Sequence, residues 1–330
     1  MRVRSSDSNR SSVRLASNRP LRGALVRALF GLTLLGGLFA TPAAMAQNAK
    51  LRLERFDFSK LPDLRVYLTF VEEDGTVIAG RQGSDFKLLL DAADQGASSA
   101  STTFEANKEP IYAMAVVQAS GVVSERALTE VKNGLRRVAE VVGATNGRMG
   151  VLSYAGATQR LIESGTSTEV DSAINKIAID GEAAETHMVD AVRTAIDLLK
   201  AQEKGRRKLI VLFSDGIDVN NDRKQFQELG KRAQQAGVVI DFIGYNPFEG
   251  GKLRNLFELS KNSYGVARGA KAPAEIGSKF SALADEISKQ YLAVFPLVLA
   301  GDGKEHNFQV LFDAGKQTWS NNQNVLLKEF

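Results

Sequence analysis

The sequence predicts an α/β protein, in which a doubly wound, mostly parallel sheet is inserted into a smaller domain resembling a β-sandwich. Residues 208–216 run from a lysine through five apolar residues to Ser-Asp-Gly, as expected for a strand buried on both faces that ends in a turn. Further apolar runs of strand length alternate with segments of helical spacing between residues 111 and 291. Short β-like segments with turn signals flank this region on both sides and predict the sandwich.

The first 46 residues differ in composition from the rest of the chain. They hold seven arginines and one aspartate, and an apolar run over residues 28–40 precedes Ala44-Met45-Ala46, which has the small-residue pattern of a cleavage site. We therefore predict a signal peptide over residues 1–46, export to the periplasm, cell envelope or medium, and no stable membrane insertion after cleavage. The alternative is an uncleaved anchor, although the run is shorter than the roughly 20 residues of a spanning helix.

Charge and cysteine content exclude several classes of function. The 330 residues carry a formal charge of +4 and contain no cysteine. Because the arginines of the leader exceed that surplus, the remaining chain is slightly acidic and has no basic stripe, so nucleic acid is not an expected partner. The lack of cysteine excludes disulfides, thiolate metal sites and cysteine nucleophiles.

The flanking β segments are expected to pair with each other. The first covers residues 47–109 and the second residues 297–330, with the α/β domain over residues 110–296 between them. The strands expected around the insertion are short and cover residues 64–71, 76–79, 86–90, 291–296, 307–312 and 324–327. Glu73-Asp74-Gly75 predicts a hairpin turn, and residues 91–106 predict a loop or a weak edge segment.

In the α/β region, the spacing of apolar residues predicts alternating strands and helices. The strands are expected over residues 111–117, 149–154, 158–162, 209–213, 238–243 and 264–267. The helices are expected over residues 124–142, 170–179, 188–199, 223–236, 253–259 and 274–291. Because parallel strands place their carboxyl ends at one edge, ligands of such a sheet are expected there.

Three stretches of this region resemble the von Willebrand factor type A family. They are the strand leading into Gln118-Ala119-Ser120-Gly121, the segment Glu185–Val192 and the run Leu209–Gly216. The resemblance spans about residues 111–296 and implies a Rossmann-like doubly wound fold. The flanking segments are similar to those of bacterial secreted proteins that combine such a domain with an immunoglobulin-like one.

The resemblance implies a metal-ion-dependent adhesion site, but the site departs from the family pattern. Ser120, Thr186 and Asp215 stand at the ligand positions, whereas Gln118 and Val122 replace an expected aspartate and serine. Because Mg²⁺ needs oxygen ligands that carry charge, one remaining carboxylate predicts a degenerate site with no cofactor. Mg²⁺ or Mn²⁺ binding is the alternative. Without a metal, Ser120 would be a turn residue, Thr186 a helix N-cap and Asp215 a loop residue that binds backbone amides.

Two other clusters have structural interpretations. Residues 218–222 alternate oxygen-bearing side chains as a calcium loop does, but Arg223 occupies the glycine position, which favours a solvated loop. The basic residues 204–208 lie at the amino end of a strand, which favours a solvated turn over a phosphate site.

Catalysis has little support in the sequence. The two histidines, His187 and His306, have no predicted partner, and Ser120 does not lie in a nucleophile elbow. The sequence therefore predicts a non-enzymatic, exported binding or scaffold protein that contacts a protein partner. The alternatives are a divalent-cation-dependent adhesin that uses Ser120, Thr186 and Asp215 and, less favoured, a hydrolase that uses Ser120.

Overall fold

The computed structural model describes residues 50–58, 60–71, 77–80, 85–103, 109–121, 123–183, 185–203, 206–219, 222–248, 250–299, 301–313 and 318–327. Contacts divide the chain into residues 1–44 and residues 45–330, and every described residue lies in the second unit. The predicted signal peptide, the hairpin turn at residues 73–75 and Val122 lie outside the described residues. Within those ranges, no helix is long and apolar enough to cross a membrane.

The central sheet confirms the predicted fold class. Its strands are β6 (Ile111–Gln118), β7 (Arg148–Tyr154), β8 (Thr158–Gly165), β9 (Arg207–Ser214), β10 (Val238–Tyr245) and β11 (Ala267–Ala270). They pair in the order β11-β10-β9-β6-β7-β8, and β8 alone among them is antiparallel. Every residue of β9 is buried, as the apolar run predicts, and β9 lies beside β6 at the centre of the sheet.

Helices cover both faces of this sheet. They are α1 (Glu125–Ala144), α2 (Ser167–Asn175), α3 (Met188–Lys200), α4 (Arg223–Ala236), α5 (Arg254–Asn262) and α6 (Pro273–Lys289), with a 3₁₀ turn at Gly250–Leu253. Helices α1, α2 and α6 share one apolar core with Val211 and Phe213, whereas α3, α4 and α5 share the other with Ile210 and Leu212. Alternate residues of β9 therefore face opposite cores, which explains why its whole run is apolar.

Eight further strands form two antiparallel sheets. They are β1 (Lys50–Asp57), β2 (Asp63–Val71), β3 (Phe86–Leu90), β4 (Ala93–Ala97), β5 (Ala100–Thr103), β12 (Tyr291–Pro296), β13 (Glu305–Asp313) and β14 (Thr318–Leu326). The orders are β1-β2-β12-β5 and β14-β13-β3-β4, so strands from before and after the α/β region share both sheets. Trp319 packs edge-on against Phe70 at a centroid distance of 5.2 Å in their common core.

Several expected elements differ from those observed. Strand β1 is not predicted, because its alternation includes charged residues such as Glu54 that are nonetheless buried. Of the two alternatives for residues 91–106, the weak edge segment is observed and not the loop, because β4 and β5 each lie at the edge of a sheet. The expected strand at residues 264–267 begins three residues later, because Tyr264 has a φ of +63° and cannot continue a ladder. The predicted boundary at residue 296 assigns β12 to the α/β part, whereas β12 pairs with β2 and β5.

The predicted solvated turn at residues 204–208 is wrong for its last two residues. Arg207 and Lys208 are only 1% and 4% exposed. Nη2 of Arg207 lies 2.7 Å from Oε2 of Glu54 in β1, and its Nε donates to Oε1 of Gln290 at 2.8 Å. The amino end of β9 is therefore buried by polar contacts with the flanking strands.

His306 lies between two carboxylates, although the sequence suggests no partner for it. Its Nδ1 is 2.7 Å from Oδ2 of Asp91, and its Nε2 is 3.1 Å from Oδ1 of Asp302. The hydrogen bonds with Asp91 and then Asp302 raise the pKa of His306 above its ordinary 6.5. The associated stabilisation is therefore complete below the unfolded-state pKa and is lost as the pH rises through the folded-state pKa.

Replacing Asp91 by asparagine should lower the pKa of His306 towards its ordinary value, because the strongest hydrogen-bonding anion is removed. NMR titration of the imidazole protons measures this pKa. Asp94→Asn on the neighbouring strand β4 serves as the matched control and should leave it unchanged. An equal pKa in wild type and Asp91→Asn would contradict the assignment.

Candidate functional site

The residues selected from the sequence meet at the carboxyl ends of the two central strands. Gln118 is the last residue of β6, Asp215 follows the last residue of β9, and Thr186 lies just before α3. All three are buried, with 0%, 1% and 7% exposure. Strands β6 and β9 are paired neighbours, so this edge is where an open parallel sheet binds its ligands.

Gln118 joins the loops after both strands through its side-chain amide. Its Oε1 accepts hydrogen bonds from Oγ of Ser214 at 3.1 Å and from the backbone N–H of Asp215 at 2.8 Å. Its Nε2 donates to the backbone carbonyl of Ser120 at 3.3 Å. An aspartate here could accept hydrogen bonds but could not donate one to Ser120, so the neutral amide suits this arrangement.

Asp215 is held beneath the β6–α1 loop. Its Oδ1 accepts from the backbone N–H of Ile217 at 2.8 Å, and its carbonyl accepts from Nδ2 of Asn246 at 2.9 Å. Gly121, with a φ of +66°, passes so close that an added Cβ would lie 2.8 Å from Oδ2 of Asp215. Glycine is therefore required at 121 for both its backbone angle and the space.

Thr186 is not the N-cap of α3, which corrects one structural interpretation of this residue. The N-cap is His187, without a side-chain capping bond. Oγ1 of Thr186 instead donates to the carbonyl of Ile217 at 2.8 Å, while the buried Asp218 accepts from the N–H of Val189 at 3.0 Å through Oδ2. Asp218 supplies the cap, so the predicted solvated loop is also wrong at that residue.

Ser120 and Tyr154 complete the buried polar set. Ser120 is fully buried, and its Oγ has no hydrogen-bond partner among the described residues. Burial raises the pKa of Tyr154 well above its ordinary value, the hydrogen bond with Ser214 lowers it, and the charges of Asp215 and Asp218 raise it further. Two carboxylates thus place negative charge beneath this edge of the sheet.

The described residues do not fit a resident divalent cation. Such an ion needs about six oxygen ligands and compensating charge, but Oε1 of Gln118 already accepts two hydrogen bonds and Oδ1 of Asp215 accepts one. In the part of the chain that the structure describes, no three His, Cys, Asp or Glu side chains cluster as metal ligands would. Two hydroxyl oxygens retain capacity: Oγ of Ser120 is buried without a partner among the described residues, and Oγ1 of Thr186 donates a hydrogen bond and so keeps its oxygen lone pairs.

Sequence reasoning missed Tyr154 and Asn246 at this edge and assigned Asp218 to a solvated loop. Asn246 follows β10 as Asp215 follows β9, so its position after a neighbouring parallel strand is a signal that could have found it. Asp218 carried no comparable signal, because its partner is a backbone amide of the distant helix α3.

Residues 114–271 match the family model of the von Willebrand factor type A domain. A search of curated proteins gave no match. Among solved structures, BatB from Bacteroides thetaiotaomicron is 16% identical with a TM-score of 0.42, and the alignment covers 54% of this chain and 98% of that one. A von Willebrand factor type A protein from Catenulispora acidiphila is 9% identical with a TM-score of 0.46. That alignment covers 85% of this chain and 73% of the other. The vWF domain of the pilus tip protein Mfa5 from Porphyromonas gingivalis is 12% identical with a TM-score of 0.43. That alignment covers 54% of this chain and 95% of the other.

Proposed function

We propose that the von Willebrand factor type A domain at residues 114–271 binds a protein partner without catalysing a reaction and without a metal ion. Domains of this kind are generally interaction modules, which supports the binding of a protein partner. The absence of a metal rests on the residues of the site itself.

The observation that carries this proposal is the hydrogen bonding of Gln118. Its amide links Ser120, Ser214 and Asp215 at the position where the family places an acidic ligand. The side-chain oxygen of Gln118, which stands at a ligand position, therefore already accepts two hydrogen bonds. A cation that used this oxygen would have to displace these hydrogen bonds, and Asp215 is the one carboxylate at a ligand position of the family, because Asp218 caps α3.

Metal titration tests the proposal. Calorimetry of the wild-type protein with MgCl₂ or MnCl₂ should show no saturable binding tighter than about millimolar. The double variant Gln118→Asp with Val122→Ser, which restores the family's ligand types, should gain binding. Wild-type binding tighter than that threshold, lost in Asp215→Ala, would overturn the proposal. Capture of an envelope protein should likewise be unchanged by chelator.

A divalent-cation-dependent adhesin is the second candidate, and Ser120 is the observation that favours it. A buried hydroxyl with no partner among the described residues is the kind of oxygen that a metal ion or water would use. The same orphan hydroxyl does not favour a hydrolase, because a serine nucleophile needs a base within hydrogen-bonding reach. Any ester, phosphate or peptide turnover that disappears in Ser120→Ala would revive the hydrolase.

We also propose that the protein is exported and that residues 47–109 and 291–330, which include β12, form an immunoglobulin-like domain around the α/β domain. The composition of residues 1–46 supports export. The sharing of both flanking sheets by strands from the two segments supports the insertion. Mass spectrometry of the native protein should find Gln47 at its amino terminus, and an intact Met1 would contradict cleavage.

A further inference from the structure

Three large apolar side chains are exposed around the candidate site. Ile217, Val219 and Phe248 have exposures of 39%, 43% and 80%, and we call them the apolar patch. Only two other large apolar residues among those described, Phe257 and Val298, are exposed in this way. The concentration of three at one edge of the sheet is typical of an interaction surface.

Hydrogen bonds place the loops that carry the patch side by side. Nδ2 of Asn246 donates to the carbonyl of Asp215 at 2.9 Å, and Oδ1 of Asn246 accepts from the N–H of Phe248 at 3.1 Å. On the other side, the carbonyl of Thr186 accepts from the N–H of Val219 at 2.9 Å, while Oγ1 of Thr186 donates to the carbonyl of Ile217 at 2.8 Å. The patch is therefore continuous with the loop before α3.

That neighbouring loop is acidic, and the nearest basic residues that follow the three loops in the chain are Arg193, Arg223 and Lys252. Residues 178–190, 214–222 and 245–251 hold four, three and one acidic residues respectively and no lysine or arginine. Asp190 is paired with Arg193, so the exposed acidic charge of this loop comes from Glu182 and from Glu185, whose side chain is 62% exposed. A surface of one charge sign attracts segments of the opposite sign and repels its own.

We propose that the apolar patch and this acidic loop together bind a protein segment in which an apolar side chain stands beside lysine or arginine. The apolar side chain is buried against the patch, and the cation lies over the acidic loop. This chemistry is the reverse of the carboxylate that a metal-loaded site would select. The inference rests on the proposed metal-free function, because a bound cation would change the charge of this edge.

A second copy of the chain is a poor occupant of the same surface. A two-fold interface would place each patch against its own copy and would bring the two acidic loops together. Their repulsion would oppose the gain from burying the apolar side chains. Charge complementarity therefore favours a basic partner segment.

Selection from a displayed random peptide library identifies the preferred chemistry. The probe is a library of 12-residue peptides, selected on the wild-type protein in the presence of EDTA. Peptides that pair lysine or arginine with an adjacent Leu, Ile, Phe, Trp or Met should be enriched. Enrichment of acidic peptides, or of peptides without charge, would overturn the inference.

Variants locate the binding surface. Fluorescence anisotropy with an enriched peptide should show about tenfold weaker binding to Ile217→Ser with Phe248→Ser, because buried apolar anchors carry most of an interface's energy. Glu182→Gln with Glu185→Gln should weaken binding about threefold and reduce its salt dependence, as expected for exposed charges. The controls are Val298→Ser, 90% exposed in the loop after β12, and Glu140→Gln, whose side chain is 64% exposed on α1. Both should bind as wild type does.

The outcomes separate this inference from the proposed function. Peptide binding in EDTA that ignores the patch and loop variants would refute this surface while leaving a metal-free binding protein intact. Binding that needs Mg²⁺ would refute both. A complete failure to select any peptide would also count against this surface, whereas chelator-resistant capture of an envelope protein would still support the proposed function.

Discussion

Replacing Arg207 by methionine should destabilise the protein by about 3–5 kcal/mol at neutral pH, the usual cost of removing one partner of a buried ion pair. The side chains of Arg207 and Glu54 are each 2% exposed, and their charged atoms lie 2.7 Å apart. Methionine matches much of the volume of arginine but leaves the Glu54 carboxylate buried without its nearest cation. Denaturant unfolding followed by circular dichroism measures the loss.

The surrounding hydrogen bonds explain why this pair is expected to matter. Oε1 of Glu54 accepts from Oγ1 of Thr69 at 2.7 Å and from Nη2 of Arg52 at 2.8 Å. Nε of Arg207 donates to Gln290, whose Nε2 in turn donates to Oγ1 of Thr69 at 3.3 Å. The network thus ties the amino end of β9 to β1, β2 and the start of β12. Loss of Arg207 would loosen the α/β sheet from the flanking sheets.

The pKa of Glu54 gives the pH dependence of this effect. Burial raises the pKa, but Arg207, Arg52 and the hydrogen bond from Thr69 lower it by more, so the net shift is downward from 4.5. A carboxylate with a lowered folded-state pKa stabilises the protein above its unfolded-state pKa, and this stabilisation is lost as the pH falls through the folded-state value. The difference between wild type and Arg207→Met should therefore shrink below about pH 4.5.

An exposed ion pair provides the control for the buried one. Arg193 and Asp190 lie 2.5 Å apart on α3, with side chains 45% and 50% exposed. Arg193→Met should change the stability by no more than about 0.5 kcal/mol, because solvent screens exposed pairs. If Arg207→Met costs no more than this control, the network does not hold the two parts together.

The sequence predicted the sheet and the location of the site, because both depend on local patterns. The apolar run of β9 indicated a strand buried on both faces, and the chain position of Gln118 and Asp215 after parallel strands indicated one common edge. Neither inference needed knowledge of a distant partner. The sequence patterns on which both inferences depend each extend over fewer than ten residues.

The contacts that the sequence did not predict join residues far apart in the chain. Arg207 and Glu54 are 153 positions apart, and a basic residue beside other basic residues is ordinarily solvated. Strand β1 was missed for the same reason, since Glu54 occupies an interior position that only its partner explains. At the site, Asp218 supplies the cap of α3 that was expected of Thr186, because the loop after β9 approaches α3 closely enough to do so.

Replacing Gln118 by leucine should destabilise the protein by about 2–4 kcal/mol, because buried polar groups lose their partners while the side-chain volume is nearly conserved. Gln118 is fully buried and bonds Oγ of Ser214, the N–H of Asp215 and the carbonyl of Ser120. Leucine can replace none of these hydrogen bonds. Thermal and urea unfolding measure the loss, and Gln234→Leu on the exposed face of α4 should change the stability by no more than about 0.5 kcal/mol.

The same substitution distinguishes the structural role of Gln118 from a role in holding a metal. If the amide holds the loops together, Gln118→Leu should also weaken peptide binding at temperatures where the variant is folded, since the loop after Asp215 carries Ile217. On the proposed metal-free function, Mg²⁺ should restore neither stability nor binding. A loss below about 1 kcal/mol would mean that the loops hold their positions without this amide. A variant rescued by Mg²⁺ would show that a cation can bind among Ser120, Thr186 and Asp215, and the adhesin would then be the better assignment.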